Sequence, residues 1–332
     1  MNRSHGSKDA TAEQRWTIEG EDDGRLITEL EFWLSGTSDT GDTLAFSELA
    51  RISVDHLGTS PLDMLVNNCR PYEIIALNRY LQSGIYYDFD EAGTTEVNFS
   101  VLFNVLPNLK GRDRVNCFLL KNDHRLVVEG AAASADLARG TIELDDTYLH
   151  DANMNYLVRY RRIQRNLSDG EAFRFPKNTV YVVIAPATTT APTQLRLFQG
   201  NRRVAKGSWS KLLQRTRKKQ GMQLDATHVI IDVAEKGNDR AVMANQMTLE
   251  HDGGSGTMEI MYVTIEWAKD LQEDAKEVSA KNLGAFEAIV ISQGGGAGTI
   301  EGVSRTVSAP VPISPRKRTQ LAVERKTQMK IN

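Results

Sequence analysis

Residues 87–93 read Tyr87-Asp88-Phe89-Asp90-Glu91-Ala92-Gly93, and a segment of the same type, Ile231-Asp232-Val233-Ala234-Glu235-Lys236-Gly237, lies 144 residues further along the chain. Each copy has an apolar strand end, an aspartate, a second apolar residue and an acidic turn that closes on glycine. Self-similarity at one spacing indicates an internal repeat. Because few positions are compared, the prediction depends on whether the flanking elements repeat as well.

The same elements precede both segments. Arg51-Ile52-Ser53-Val54-Asp55 and a glycine turn lead to a helix predicted at Pro71 to Leu81. Gln194-Leu195-Arg196-Leu197-Phe198 and a second glycine turn lead to a helix predicted near Ser208 to Lys219, with Ser208 as its N-cap. Strand, turn, helix, strand and turn therefore occur twice at an offset of 142 to 144 residues. This order predicts a duplicated unit.

The rest of the central region is predicted to be mainly β. Short apolar-polar alternation, β-branched residues and polar or glycine boundaries indicate strands. The further predicted strands cover residues 26–34, 96–103, 141–144, 180–184 and 258–267. Strands at this spacing favour a sandwich or barrel over βαβ units. The predicted fold is all-β, with two tandem jelly-roll barrels or sandwiches, each with a helical excursion.

Composition divides the chain into four predicted parts: a mobile N-terminal arm at 1–25, a first jelly roll with a linking helix at 26–170, a second jelly roll at 171–270 and a mostly irregular C-terminal extension at 271–332. The two ends are polar and offer little apolar surface to offset the entropy of ordering. The linking helix is predicted at Asn155 to Leu167, with Leu157, Tyr160 and Ile163 facing inward and most of its arginines facing out.

Bulk composition is that of a soluble globular protein. The 332 residues are 40% hydrophobic and 25% charged, and the net charge of −3 favours neither DNA nor an acidic membrane as a partner. Cys69 and Cys117 are too few for a disulfide framework or a cysteine-based zinc site, so we expect reduced core residues. Met1 to Trp16 is polar, and we expect no secretory signal, no membrane-spanning helix and synthesis in a cytoplasm.

Motifs for catalysis are missing from the sequence. The six histidines form no HExxH motif, and there is neither a Gly-x-Ser-x-Gly elbow nor a Walker loop. Carboxylate clusters can act in glycoside hydrolysis or bind calcium, but solvated turn residues at strand ends are the favoured interpretation. The clusters are Glu21-Asp22-Asp23, Asp88-Asp90-Glu91 and Glu143-Asp145-Asp146. We therefore predict no enzymatic activity, no catalytic residues and no small-molecule substrate.

Two basic segments are the candidate functional surfaces. The first has eight bases without one acid: Arg202, Arg203, Lys206, Lys211, Arg215, Arg217, Lys218 and Lys219. It is interpreted either as a surface that contacts anionic lipid headgroups or nucleic acid, or as a solvated helix face whose cations pair with the acids of a neighbouring subunit. The second segment is a predicted inward-facing tether, the basic tail: Arg316, Lys317, Arg318, Arg325, Lys326 and Lys330.

One stretch resembles a known family. Tyr156-Leu157-Val158-Arg159-Tyr160-Arg161-Arg162-Ile163-Gln164-Arg165-Asn166-Leu167-Ser168-Asp169-Gly170, with Pro176 ahead of the next strand, looks like the junction between the two jelly rolls of corticovirus major capsid proteins. Residues 194–237 resemble the second jelly roll of that family, and Met258 to Trp267 resembles its last strand. The resemblance covers Leu26 to Trp267.

The resemblance implies a major capsid protein of a membrane-containing icosahedral phage. Such proteins form pseudo-hexagonal homotrimers that tile a shell over an internal membrane, so the implied location is the virion, after synthesis in the host cytoplasm. The implied partners are the chain itself, neighbouring trimers, other capsid proteins, and the internal membrane or its proteins. No cofactor is expected beyond structural calcium, for which no ligand set is matched. Two alternatives are a carbohydrate-binding or carbohydrate-active double jelly-roll protein, and a nucleic-acid-binding protein that acts through Arg202 to Lys219.

Overall fold

The computed structural model describes residues 2–22, 24–38, 51–58, 63–81, 87–89, 94–106, 115–130, 137–148, 154–170, 172–200, 202–219, 227–233 and 246–267. Within these ranges the chain forms eighteen strands, two α-helices and three sheets. The first ten strands and the first helix are β1 Asn2–Asp9, β2 Gln14–Glu19, β3 Arg25–Ser38, β4 Ile52–Leu57, β5 Asp63–Cys69, α1 Pro71–Leu81, β6 Tyr87–Phe89, β7 Thr94–Leu102, β8 Phe118–Leu120, β9 Arg125–Gly130 and β10 Leu137–Tyr148.

The remaining elements form the second half: β11 Tyr156–Asn166, a 3₁₀ turn at Leu167–Asp169, β12 Phe173–Phe175, β13 Thr179–Ile184, β14 Gln194–Gln199, β15 Arg202–Ser208, α2 Trp209–Lys219, β16 Val229–Asp232, β17 Met247–Asp252 and β18 Thr257–Trp267. We call β1–β10 the first sandwich and β11–β18 the second sandwich.

Three sheets serve the two sandwiches. Sheet A has the order β1-β10-β3-β7-β6, with β8 also paired to β3. Sheet B is continuous across both sandwiches, in the order β16-β13-β18-β11-β5-β4-β9-β2. Sheet C belongs to the second sandwich and has the order β12-β17-β14-β15. Four strands of sheet B thus come from each half of the chain.

The topology of the first sandwich is repeated in the second. The strand order β5-β4-β9-β2 becomes β15-β14-β17-β12, and β1-β10-β3 becomes β11-β18-β13. In both sandwiches a hairpin (β4–β5 or β14–β15) runs into the helix and then into a short strand. The two helices lie where the sequence predicts them. The backbone N–H of Lys211 donates to Ser208 Oγ, with 3.4 Å between nitrogen and oxygen, as expected when Ser208 is the N-cap.

The helix α1 lies between the two sandwiches. It packs on β7 of sheet A and on β13 of sheet B, and its Asn78 amide both donates to the carbonyl and accepts from the N–H of Ser100, each at 2.9 Å. Because β13 is covered on both faces, all six of its residues are buried. A strand buried on both faces reads as a continuous apolar run rather than an alternating one. This placement explains the Thr179–Ile184 sequence.

The predicted linking helix is wrong. Residues 156–166 form strand β11, which pairs with β18 along its whole length, from Tyr156 with Trp267 to Asn166 with Thr257. The spacing of Leu157, Tyr160 and Ile163 fits one face of a helix, but Tyr156, Val158 and Tyr160 also alternate, and these three are buried together. The distant partner strand, about a hundred residues away in sequence, decides between the two patterns.

The predicted mobile N-terminal arm is also wrong for the residues described. Residues 2–9 and 14–19 are strands β1 and β2, which pair with β10 and β9. Trp16 and Ile18 alternate with exposed residues and are fully packed in the core. The burial that orders this segment comes from strands more than a hundred residues away. The boundaries of the two predicted jelly rolls stay a prediction, and the C-terminal extension lies outside the described residues.

Candidate interaction surfaces

The seam between the sandwiches is the parallel contact of β5 with β11, where Tyr160 pairs with Val66 and Arg161 with Asn67. Ion pairs reinforce it at one end. The Arg159 guanidinium donates to Asp63 of β5 at 2.9 Å and also contacts Glu266 of β18. The arginines predicted on the outside of a helix thus sit in the middle of the shared sheet.

A second ion-pair group joins α1 to the same sheet. Arg162 is almost fully buried, 3.4 Å from a carboxylate oxygen of Glu73 on α1, and it also contacts Glu259 of β18. The Arg70 guanidinium lies 2.9 Å from a carboxylate oxygen of Glu259, and the backbone N–H of Arg70 donates to the Glu73 carboxylate at 3.2 Å. Burial raises the pKa of Glu73 to about 7, although the Arg70 N–H and the Arg162 guanidinium oppose that rise. The contact between α1 and sheet B therefore contains a carboxyl group whose pKa is raised toward neutral pH.

The structure divides the eight predicted bases among several positions. Arg202, Arg203 and Lys206 lie on β15, which ends sheet C, and Arg203 and Lys206 are exposed. The other five are on α2, where Leu212 and Thr216 face the core. The α2 helix lies so close to β15 that a Cβ at Gly207 would be 3.1 Å from Leu212 Cγ.

Three of the bases form one row on the outside of α2. Lys211, Arg215 and Lys218 are exposed and lie at helical positions i, i+4 and i+7, on a different side of α2 from the buried Leu212 and Thr216. We call this row, with its three cations, the basic row. No acid occurs from Arg202 to Lys219.

The remaining two bases on α2 are partly buried. Lys219 turns back toward Asp232 at 3.4 Å and over the Tyr80 ring at 4.8 Å, and Arg217 is also half-buried. The predicted patch is therefore a basic row flanked by side chains with partners inside the fold. The basic tail, Arg316 to Lys330, lies outside the described residues.

An acidic surface that the sequence did not predict as a site covers the outside of sheet A. Glu29 and Glu31 of β3 alternate with buried residues, and β10 places Asp145 opposite Glu31. Glu143 stands opposite Trp33, whose 41% exposure is high for so large an apolar side chain. Burial and the neighbouring Glu31 raise the pKa of Glu29. We call Glu29, Glu31, Glu143 and Asp145, grouped around Trp33, the acidic face.

The predicted acidic clusters are separated by the strand pleat. Glu143 and Asp145 point outward from the middle of β10, whereas Asp146 points inward, where it is completely buried. The Arg25 guanidinium donates to Asp146 at 2.6 Å, and a ring nitrogen of His5 lies 3.0 Å from the same oxygen. The interpretation of this cluster as turn residues is wrong, because all three lie within a strand. Residues 23, 90 and 91 of the other clusters lie outside the described residues.

Two histidines that are 68 residues apart in sequence are in contact. His56 Nε2 and His124 Nδ1 are 2.8 Å apart and buried, and burial lowers the pKa of His56 to about 4. Within the described part of the chain, no group of three or more histidines, cysteines and carboxylates is arranged to hold a metal ion. Structural calcium stays an expectation from the resemblance, with no ligand residues assigned. Both cysteines are buried thiols, as expected.

Comparison with known proteins identifies the architecture. No protein-family model matches the chain, and no curated protein matches it. Among solved structures, the crystal structure of the STIV MCP has a TM-score of 0.57 at 12% identity, covering 84% of this chain and 98% of that one. The atomic structure of Sulfolobus Turreted Icosahedral Virus gives 0.57 at 13% identity, with 88% and 97% covered. The chain has the double jelly-roll fold.

The fold also matches a phage protein. The major capsid protein P2 from Bacteriophage PM2 has a TM-score of 0.51 at 11% identity, covering 80% of this chain and 98% of that one. The predicted fold class is thereby confirmed. At such identities the likeness shows the fold, and the function has to be argued from surfaces. In the described residues no helix is long and apolar enough to span a bilayer.

Proposed function

We propose that the chain is a viral major capsid protein located in the virion, with no enzymatic role. The observation that carries the proposal is the duplicated topology around one shared sheet, because it is matched over nearly the whole length of the STIV MCP and the PM2 major capsid protein. The structural role is supported by the kind of protein matched, since the STIV MCP and the PM2 protein are both capsid proteins.

The finer proposal is a homotrimer of corticovirus-like type. Two jelly rolls per chain give six per trimer, which suits a pseudo-hexagonal tile in an icosahedral shell over an internal membrane. Its partners are its own copies, neighbouring trimers and other capsid proteins, and the basic tail is the candidate contact with membrane or genome. By the resemblance, the virus is proposed to be a bacteriophage.

The test is the mass and shape of the purified full chain. Light scattering should give three times the 37.0-kDa chain mass, and electron microscopy should show particles of hexagonal outline. A protein that stays monomeric at high concentration would contradict the proposal, because shell subunits must bury large interfaces. Binding to a defined glycan on an array, by a monomer, would favour the carbohydrate-binding alternative instead.

A further inference from the structure

The two helices are equivalent in the repeat but differ in burial. In α1, eight of eleven residues are buried, because α1 packs on β13 of the second sandwich as well as on β7 of the first. In α2, only Leu212 and Thr216 are buried. Within the described chain, no further sandwich follows the second one to cover α2. The outward face of α2 is thus the counterpart of a surface that is buried inside the chain at α1.

The surface that covers α1 has a counterpart as well. α1 packs on β13, and the cross-strand pairs Tyr181–Val263 and Val183–Met261 on one face of β13 and β18 belong to the same apolar cluster as α1. In the repeat, β13 and β18 correspond to β3 and β10. The corresponding face of β3 and β10, turned away from its own core, is the acidic face. The same face is therefore apolar where the neighbouring sandwich covers it, and charged where no sandwich of the described residues does.

Charge and size make the two uncovered surfaces complementary. The basic row has three cations over about 10 Å, from the helical rise between Lys211 and Lys218. On the acidic face, Glu143 stands opposite Trp33, which is four residues beyond Glu29 on β3. The carboxylates therefore extend over about 13 Å along the strand. The outward positions 29 to 35 of β3 and 141 to 147 of β10 contain four carboxylates and no base. The face of the exposed Trp33 ring can in addition form a cation–π contact with one of the bases of the basic row.

We propose that the basic row of one copy docks on the acidic face of a second copy, repeating between chains the contact that α1 makes within the chain. The proposal rests on the proposed function and adds the surfaces through which subunits meet. The contact is head-to-tail, so copies close into a ring when the rotation allows it. Three copies in which every sandwich contacts the next in the same way give a ring of six. The same arrangement places edge strand β15 beside the neighbour's β1, as β5 lies beside β11.

Charge reversal on each surface, separately and together, tests the proposal. The first variant is Lys211→Glu/Arg215→Glu/Lys218→Glu, and the second is Glu31→Lys/Glu143→Lys/Asp145→Lys. Each should raise the dissociation constant of the assembly at least about 100-fold, because like charges then face each other across the contact. The combined variant restores opposite charges and should recover assembly. A matched control, Arg125→Glu/Arg174→Glu/Lys177→Glu, reverses three exposed bases elsewhere and should assemble like the wild type.

The readout is mass by sedimentation of the full chain, with circular dichroism showing that each variant is folded. If the wild type forms no oligomer, the proposed function fails along with the contact. If the wild type assembles and both single-surface variants assemble equally well, only the assignment of surfaces is overturned. Loss of binding to anionic vesicles or to DNA by the α2 variant, with assembly unchanged, would likewise overturn it in favour of a membrane-facing or genome-facing helix.

Discussion

Replacing Arg25 with methionine should destabilise the first jelly roll more than any surface substitution of the same type. Arg25 and Asp146 are both essentially inaccessible, with a side-chain exposure of 2% and 0%, and their contact is 2.6 Å. Methionine keeps most of the volume and removes the charge. The Asp146 carboxylate then keeps its contact with His5. The substitution also removes the 3.7 Å contact of Arg25 with the exposed Glu21 and its position over the Tyr148 ring, and both are minor beside the loss of the buried pair.

Removing one partner of a buried ion pair typically costs about 3–5 kcal/mol, because the other charge stays buried without compensation. The neighbouring His5 ring can still bond to Asp146, so we expect a value near the lower limit, about 3 kcal/mol. The control is Arg15→Met, since Arg15 and Glu129 are 67% and 50% exposed and 3.5 Å apart. An exposed pair of this kind contributes at most about 1 kcal/mol.

The assay is urea unfolding at pH 7 and fixed protein concentration, followed by tryptophan fluorescence. The reasoning also predicts a rescue: Asp146→Asn in the Arg25→Met background should recover part of the lost stability, because the penalty comes from the unpaired charge. If Arg25→Met costs no more than Arg15→Met, or if Asp146→Asn destabilises the variant further, the stated origin of the effect is refuted.

Three other substitutions test the interior. Glu73→Gln should be about as stable as the wild type at pH 5 and more stable at pH 8, by on the order of 3 kcal/mol. The reason is that the pKa of the Glu73 carboxyl is raised to about 7 in the folded protein, so that wild-type folding becomes less favourable as the pH rises from 4.5 through 7. Equal pH profiles of the two proteins in urea titrations would contradict this. Asn116→Ala should cost about 3 kcal/mol or more, since the Asn116 amide bonds to backbone groups of Phe103, Asn155 and Tyr156; calorimetry of the unfolding transition checks it. Gly207→Val should lower stability by about 1–3 kcal/mol through the clash with Leu212, and an unchanged melting temperature would argue against close packing of α2 on β15.

Local patterns were sufficient for much of the fold. The helices at Pro71–Leu81 and Trp209–Lys219 and the strands around β3, β4, β7, β10, β13 and β18 follow from short-range periodicity and turn residues. The duplication was visible because both copies keep the same order of elements. Alternation of Glu29, Glu31 and Trp33 with apolar residues could also have indicated one outward strip of the acidic face, since strand side chains alternate between faces.

Pairing between distant strands decided the rest. Residues 156–166 satisfy both a helical and a strand pattern, and the ladder with β18 selects the strand. The N-terminal segment looks too polar to order itself, yet β9 and β10 give it partners. The sequence alone determined the β class, the two helices and the repeat, because these depend on neighbours within a few residues. Only the tertiary structure decided the shared sheet, the arginine seam and the opposition of Glu31 to Asp145, because register between strands a hundred residues apart is set by the packing of the whole core.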